Sequence, residues 1–137
     1  MSDLELRAKN VNATQSKFGA KPFKWGGCDC AKMLAFHLRK FGHKVPRATG
    51  YRSALTAKKK LLSLGYETLP ALIDGIGLQN IAPASALLGD VVSFACDDPL
   101  GGVGIVHGNG NMMCFHEDHL TPVIMSMDQI DQAWRVI

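Results

Sequence analysis

The chain has 137 residues, a formal net charge of +3 and a hydrophobic share of 47%. That length suits a single domain over residues 1–137, and that composition is enough to build a core. No apolar run approaches the roughly 20 residues that cross a bilayer, and the first ten residues lack the apolar core of a signal peptide. The basic residues are scattered except for Lys58-Lys59-Lys60, with no interleaved aromatic residues, so nucleic acid is not an expected partner.

The N-terminal part of the chain leads into a predicted amphipathic helix. Residues 1–20 are expected to form an extension or a helix of their own. The segment Phe23-Lys24-Trp25-Gly26-Gly27-Cys28-Asp29-Cys30 follows, and then an apolar stripe with helical spacing: Ala31, Leu34, Ala35, Leu38 and Phe41. We predict a helix that starts at Cys30 with Asp29 as its N-cap and ends at Gly42. We expect His37 and His43 to lie at the surface or to be half-buried.

Cys30 is the candidate nucleophile because of its place at the start of this helix. Unpaired N–H groups and the positive end of the helix dipole favour a thiolate there. Cys28 precedes the N-cap and is the weaker candidate. His37 is two turns further on, about 10 Å along the axis at 1.5 Å per residue, which is too far for it to be the base.

The rest of the chain predicts an α+β fold with helices followed by an antiparallel meander sheet. A second helix is expected over 53–64, with Leu55, Leu61 and Leu62 facing inward, and a helical turn over 69–73. Pro122 marks one strand as a sheet edge. The apolar stripe of the helix that starts at Cys30 is expected to pack on Val92, Phe94 and Val103. The predicted strands cover 90–95, 103–107, 112–115, 120–125 and 134–137, with an Asn-Gly hairpin turn after the second.

The four cysteines are expected to be reduced, because the sequence predicts no export signal. Soft metal ligands are available in Cys28-x-Cys30 together with Cys114-x-His116-x-x-His119. Zinc sites usually have C-x-x-C rather than C-x-C spacing, which argues against such a site. No cofactor is therefore predicted, and a metal-binding domain is kept only as a third alternative.

Six short motifs follow one another along the chain: Trp25-Gly26-Gly27, Asp29-Cys30-Ala31, Gly89-Asp90-Val91-Val92, Val103-Gly104-Ile105-Val106, Gly108-Asn109-Gly110 and Ala133-Trp134-Arg135-Val136. Taken in this order, they resemble the motifs of NlpC-type papain-like cysteine peptidases, which cleave the peptide stems of bacterial cell walls. The match covers about residues 20–137, and the layout is closer still to small phage and prophage proteins encoded among tail genes. The resemblance implies a papain-like NlpC-type fold, a peptidoglycan peptide or another peptide as substrate, and phage tail proteins as partners. It also implies synthesis in the bacterial cytoplasm and the virion tail as a destination.

The chain departs from the peptidases at two catalytic positions. Gly102 stands where they carry a histidine, and Cys114 stands about where they carry a third polar residue. His107 is an odd number of residues from Gly102, which places it on the opposite face of a strand. His116 shares the parity of Cys114 and is the first choice for a substitute base, with His119 in the following loop as the second.

Three functions remain open from the sequence. The first is a thiol hydrolase of peptidoglycan peptides, in which Cys30 attacks and His116 or His119 takes the proton. The second is a non-catalytic structural or assembly module of a virion tail. The third is the Cys/His metal-binding domain.

Overall fold

The computed structural model describes residues 1–116 and 119–137. The described part is α+β, as predicted, and the N-terminal segment is a helix. A short 3-10 turn at Pro83–Ser85 joins the first two strands. The elements are α1 (Asp3–Phe18), α2 (Cys30–Lys40), α3 (Ala54–Ser63), α4 (Leu69–Gly75), β1 (Gln79–Ile81), β2 (Val91–Phe94), β3 (Gly102–Gly108), β4 (Asn111–Cys114), β5 (Val123–Ser126) and β6 (Gln132–Arg135).

The strands form one antiparallel sheet in the order β1-β6-β2-β3-β4-β5. The meander prediction holds for β2 to β5, and β5 is an edge strand, as Pro122 indicated. β6 instead returns across the sheet to lie between β2 and β1. β1 was not predicted from the sequence; it pairs with β6 in the register Asn80↔Trp134.

The helices cover one face of this sheet. Leu34 and Leu38 of α2 pack with Val103 of β3, as predicted. Val92 and Phe94 belong to a different cluster, together with Val106, Met112 and Cys114. That part of the prediction was wrong, because successive residues of a strand point to opposite faces. The helix stripe meets Val91 and Trp134 in their place.

The inward face of α3 also differs from the prediction. Leu61 is buried, but Leu55 is 64% exposed and Leu62 is 49% exposed. Ala57 and Leu61, four residues apart, are the buried residues of this helix, and neighbours at that spacing lie on one helical face. Across the described residues, no helix combines the length and apolar character that a membrane crossing requires.

The Gly-Asp pair at the start of β2 holds α1 and β6 to the sheet. The buried Asp90 carboxylate accepts hydrogen bonds from Arg7 at 2.9 Å and from Arg135 at 2.8 Å. It also accepts from the backbone N–H groups of Leu87 and Val136. Removing one partner from a buried ion pair costs about 3–5 kcal/mol. The Gly-Asp motif therefore has a structural role here.

His37 is fully buried, so the expected surface or half-buried position was wrong. Its Nδ1 lies 2.8 Å from the Thr14 hydroxyl and its Nε2 lies 2.8 Å from the Gly89 carbonyl oxygen. Desolvation by burial lowers the pKa of His37 to about 4. The side chain is thus a neutral core residue that joins α1, α2 and the start of β2.

We expect the protein to lose stability as the pH falls from about 6.5 towards 4. In that range the unfolded chain binds a proton at His37 and the folded chain does not, so unfolding is favoured. At about 1.4 kcal/mol per pKa unit, the loss from this group is on the order of 3 kcal/mol. Urea unfolding at pH 7.0 and 4.5 measures it. His37→Gln should remove most of the loss and His43→Gln should retain it; equal pH dependence in both variants would contradict the assignment.

Candidate functional site

Cys30 is the first residue of α2, as predicted, and the carboxylate of the preceding residue fixes its position. Asp29 is the N-cap and is fully buried. One carboxylate oxygen accepts the Lys32 backbone N–H at 2.8 Å. The other accepts the Gly26 N–H at 2.8 Å and the Tyr51 hydroxyl at 2.9 Å. A single carboxylate thus joins the helix start, the glycine turn and the segment before α3.

The glycine turn brings the chain back sharply before Cys30. Lys24 and Cys28 form an antiparallel bridge, and each N–H donates to the other's carbonyl, at 2.8 and 2.9 Å. Gly26 has a φ of +81°, and a Cβ there would lie 2.3 Å from the Tyr51 carbonyl oxygen. Only glycine fits both constraints. This geometry explains the first glycine of the Trp-Gly-Gly motif.

A groove of about 1080 Å³ lies beside Cys30. It brings together the three residues that sequence analysis selected, because Cys30, His116 and His119 all line it. The two histidine rings have centroids 5.8 Å apart. The other lining residues include aromatic side chains and carboxylates, namely Phe23, Trp25, Phe94, Phe115, Asp97, Asp98, Asp128 and Asp131.

Cys28 does not share this environment. Its side chain is buried with Val11, Phe18 and Met33, and its sulfur lies 3.7 Å from the Lys21 carbonyl oxygen. The structure therefore separates the two thiols that the sequence left in competition, and only Cys30 reaches the groove. The same separation splits the Cys28-x-Cys30 pair on which the metal-binding alternative depended.

The Phe94 ring fills the space beside Gly102, where the peptidases carry a histidine. Gly102 pairs with Phe94 across β2 and β3. A Cβ at Gly102 would lie 2.5 and 2.7 Å from two atoms of the Phe94 ring and 2.8 Å from its carbonyl oxygen. Such distances are far below van der Waals contact, so a side chain at 102 requires Phe94 to move. The sequence showed the missing histidine but gave no sign of the ring in its place.

The structure also gives the positions of Cys114, at the second altered catalytic position, and of His107. Cys114 is fully buried on β4, and burial, followed by the charge of Cys96, raises its pKa to about 11. His107 lies near the opposite end of β3 from Gly102, where its Nε2 is 2.9 Å from Gln15 Oε1 of α1. Neither residue lines the groove with Cys30.

The surroundings of Cys30 favour the thiol over the thiolate. Desolvation by burial raises the pKa of Cys30 most, and the carboxylates of Asp98 and Asp29 raise it further. The Ala31 N–H donates to the sulfur and lowers the pKa, but this effect is smaller. The helix start thus supplies the expected donor, while burial and two negative charges outweigh it. From the sequence, Asp98 was expected only as part of a turn-forming loop, and its place at this site was not predicted.

Comparison with known proteins identifies the family of this chain. A family model described as "Domain of unknown function (DUF6950)" matches residues 4–136. The chain belongs to the DUF6950 family. A search of curated proteins gives no match for it.

Solved structures show that this DUF6950 chain has the NlpC/p60 fold. The peptidoglycan hydrolase RipB from Mycobacterium tuberculosis has a TM-score of 0.64 at 14% identity, over 100% of this chain and 69% of RipB. The NlpC/p60 domain of the peptidoglycan hydrolase SagA has a TM-score of 0.61 at 18% identity, over 93% and 97%. RipD from M. tuberculosis, described as a non-catalytic NlpC/p60 domain protein, has a TM-score of 0.60 at 15% identity, over 96% and 98%.

We expect the Cys30 thiol of this DUF6950 protein to react slowly with iodoacetamide at pH 7.5, because the thiolate is the reacting form. The exposed Cys96 should react faster, as followed by peptide-resolved mass spectrometry. Asp98→Asn should accelerate alkylation of Cys30 by about three- to tenfold, since one pKa unit is a tenfold change in thiolate. Asp131→Asn, which removes another groove carboxylate, should leave the rate unchanged. A wild-type Cys30 that titrates below pH 8 would contradict this description.

Proposed function

We propose that this DUF6950 chain binds peptidoglycan peptides in the groove beside Cys30 and does not cleave them. The observation that carries the proposal is the Phe94 ring packed against Gly102. Cysteine peptidase chemistry needs a base within hydrogen-bond reach of the sulfur. In this chain a phenyl ring occupies the space at the position where the resemblance calls for that base.

The state of the thiol supports the same proposal. A nucleophilic cysteine is normally activated by a neighbouring cation, a base or a lowered pKa. Cys30 is 7% exposed, and burial together with Asp98 and Asp29 raises its pKa. Residue 30 therefore lines the groove as a thiol whose raised pKa favours the protonated form at neutral pH.

The groove and the related structures support a peptide ligand. Its volume of about 1080 Å³ is slightly above the usual range for small-molecule sites. Phe23, Trp25 and Phe115 supply aromatic surface, which binding sites use widely for contact area. RipD is described as a non-catalytic NlpC/p60 domain protein adapted to peptidoglycan binding, and we propose the corresponding role here.

A thiol hydrolase is the second candidate, because His116 and His119 share the groove with Cys30. In that mechanism the Cys30 sulfur would attack the peptide carbonyl and a histidine would take the thiol proton and pass it to the leaving amine. Water would then release the acyl group from the sulfur. The Cys30 backbone N–H, at the start of α2, would help to hold the oxyanion.

One experiment separates the two candidates. We expect the protein to bind a lysine-containing stem tetrapeptide in calorimetry and to leave it intact after a day at 37 °C, as checked by mass spectrometry. Cys30→Ala should still bind the peptide, because the proposed binding does not require a reactive thiol. Cleavage that disappears in Cys30→Ala and in His116→Ala would instead establish the hydrolase. Cys28→Ser is the matched control for removing a thiol outside the groove.

We also propose a phage tail as the setting of this domain, on the resemblance to small proteins encoded among tail genes. The expected result is that purified virions carry the protein in a fixed stoichiometry with tail proteins. Quantitative mass spectrometry of virions from a strain that encodes the chain measures this ratio. Virions that lack the chain, while the lysate contains it, would contradict the proposal.

A further inference from the structure

The acidic residues of the chain are unevenly distributed, and α3 lies in a part of the sequence that has none. Residues 30–66 contain nine lysines and arginines and no Asp or Glu. Residues 67–137 contain nine acidic residues and one arginine. The modest net charge of +3 is therefore the sum of a strongly basic part and a strongly acidic part. A basic region of this kind attracts partners of negative charge.

Carboxylates do not neutralise this basic part within the described residues, 1–116 and 119–137. The ion pairs found there join Asp90 to Arg7 and Arg135, and the nine cations of residues 30–66 take no part in them. Burial lowers the pKa of the Arg39 guanidinium, and the charge of Arg47 lowers it further. Like charges thus lie close to each other in this part of the molecule, and a partner that brings carboxylates would offset their repulsion.

The helix α3 presents two leucines on its outward side, with a lysine between them. Leu55 is 64% exposed, Leu62 is 49% exposed, and Lys59 is exposed as well. Residues three and four positions apart lie on one side of a helix, and this side points away from the buried Ala57 and Leu61. Single exposed leucines are common, but two on one stripe of a short helix indicate a contact surface.

A small cavity of about 280 Å³ borders this outward stripe. Thr56, Lys59 and Lys60 of α3 line it, together with residues 49–51. Its described lining residues supply hydroxyl groups and two ammonium groups but no carboxylate. Hydrogen bonds between an ammonium group and a carboxylate are among the stronger ones. The cavity is therefore suited to a carboxylate that a partner places beside the two leucines.

The combination of leucines and cations favours an acidic protein segment over other anionic partners. Nucleic acid is bound mainly through its phosphates, and such contacts make no use of the leucines. A helix that lies in a membrane surface buries a continuous apolar face, which Lys59 interrupts between Leu55 and Leu62. A protein helix can place a carboxylate at Lys59 and pack apolar side chains on both leucines.

We infer that this outward face of α3 binds an acidic amphipathic helix of a partner protein. The apolar side chains of that helix pack on Leu55 and Leu62, and its carboxylates bind Lys59, Lys60 and the exposed Arg52. The face shares no residue with the groove that we propose as the peptide site. The inference therefore stands apart from the proposed peptide binding and gives the domain a separate surface for attachment.

A designed acidic peptide tests the inference by fluorescence anisotropy. It is a labelled helix of about 18 residues, with leucines at spacings of three and four and glutamates on both flanks. We expect it to bind at 50 mM salt and more weakly at 300 mM, because ionic attraction is screened. Replacing its leucines by serine, or its glutamates by glutamine, should each weaken binding about tenfold. A DNA duplex and vesicles that contain phosphatidylglycerol are measured under the same conditions.

Variants of the protein assign this binding to α3. Leu55→Ser combined with Leu62→Ser should weaken binding of the acidic peptide about tenfold, and so should Lys59→Gln combined with Lys60→Gln. The control is Leu4→Ser combined with Lys9→Gln, which removes an exposed leucine and an exposed lysine from α1 and should leave the affinity unchanged. A thermal melt confirms that each variant is folded.

Four results would overturn the inference. They are failure of the acidic peptide to bind, equal binding of its serine version, tighter binding of the DNA duplex or the vesicles, and dimerisation of the protein that the double leucine variant abolishes. The last result would show that a second copy of the chain covers this face. Binding of the stem tetrapeptide in the groove is measured separately, so the peptide-binding proposal stands or fails independently of these results.

Discussion

The buried carboxylate of Asp29 is the constraint on which the candidate site depends. It accepts three hydrogen bonds, from the Lys32 and Gly26 backbone N–H groups and from the Tyr51 hydroxyl. Hydrogen bonds to a charged group contribute about 1.5–3 kcal/mol each, so this one side chain holds the start of α2, the glycine turn and the approach to α3 in a single arrangement. Burial and this carboxylate also raise the pKa of the Tyr51 phenol, which keeps it a hydrogen-bond donor. Cys30 follows Asp29 directly, and its place at the groove results from that network.

The same carboxylate limits the chemistry of the thiol beside it. A helix start alone would stabilise a thiolate, and the Ala31 N–H does point at the sulfur. Burial, Asp98 and Asp29 together have the larger effect, so the sulfur stays protonated. In the same groove, the Phe94 ring occupies the space beside Gly102. The two features support the same proposal, because a thiol with a raised pKa and a ring in the space of the expected base both fit the proposed binding role.

Local signals in the sequence predicted the framework of the molecule well. Asp29 before an apolar helical stripe, Gly42 at its end and Pro122 before an edge strand each specify a local geometry, and the structure has those elements. The long-range features were not predictable in the same way. The pairing of β1 with β6 and the burial of His37 between Thr14 and Gly89 depend on segments far apart in the chain. The candidate site divides in the same way. Cys30 was selected from its place at the start of a helix, His116 from strand parity and His119 from its place in the next loop. The roles of Phe94 and Asp98 arise only when β2, β3 and α2 come together.

The most direct test of this account is a titration of the ¹⁵N-labelled protein with the lysine-containing stem tetrapeptide, followed by NMR. The account predicts that the Trp25 indole signal and the amide signals of Asp98, Gly102 and Phe115 shift together, while the peptide's own signals stay those of the intact molecule. Signals of the smaller cavity beside α3, at Gly50 and Thr56, should not move. Shifts confined to that second cavity, or peptide signals that turn into those of two fragments, would contradict it.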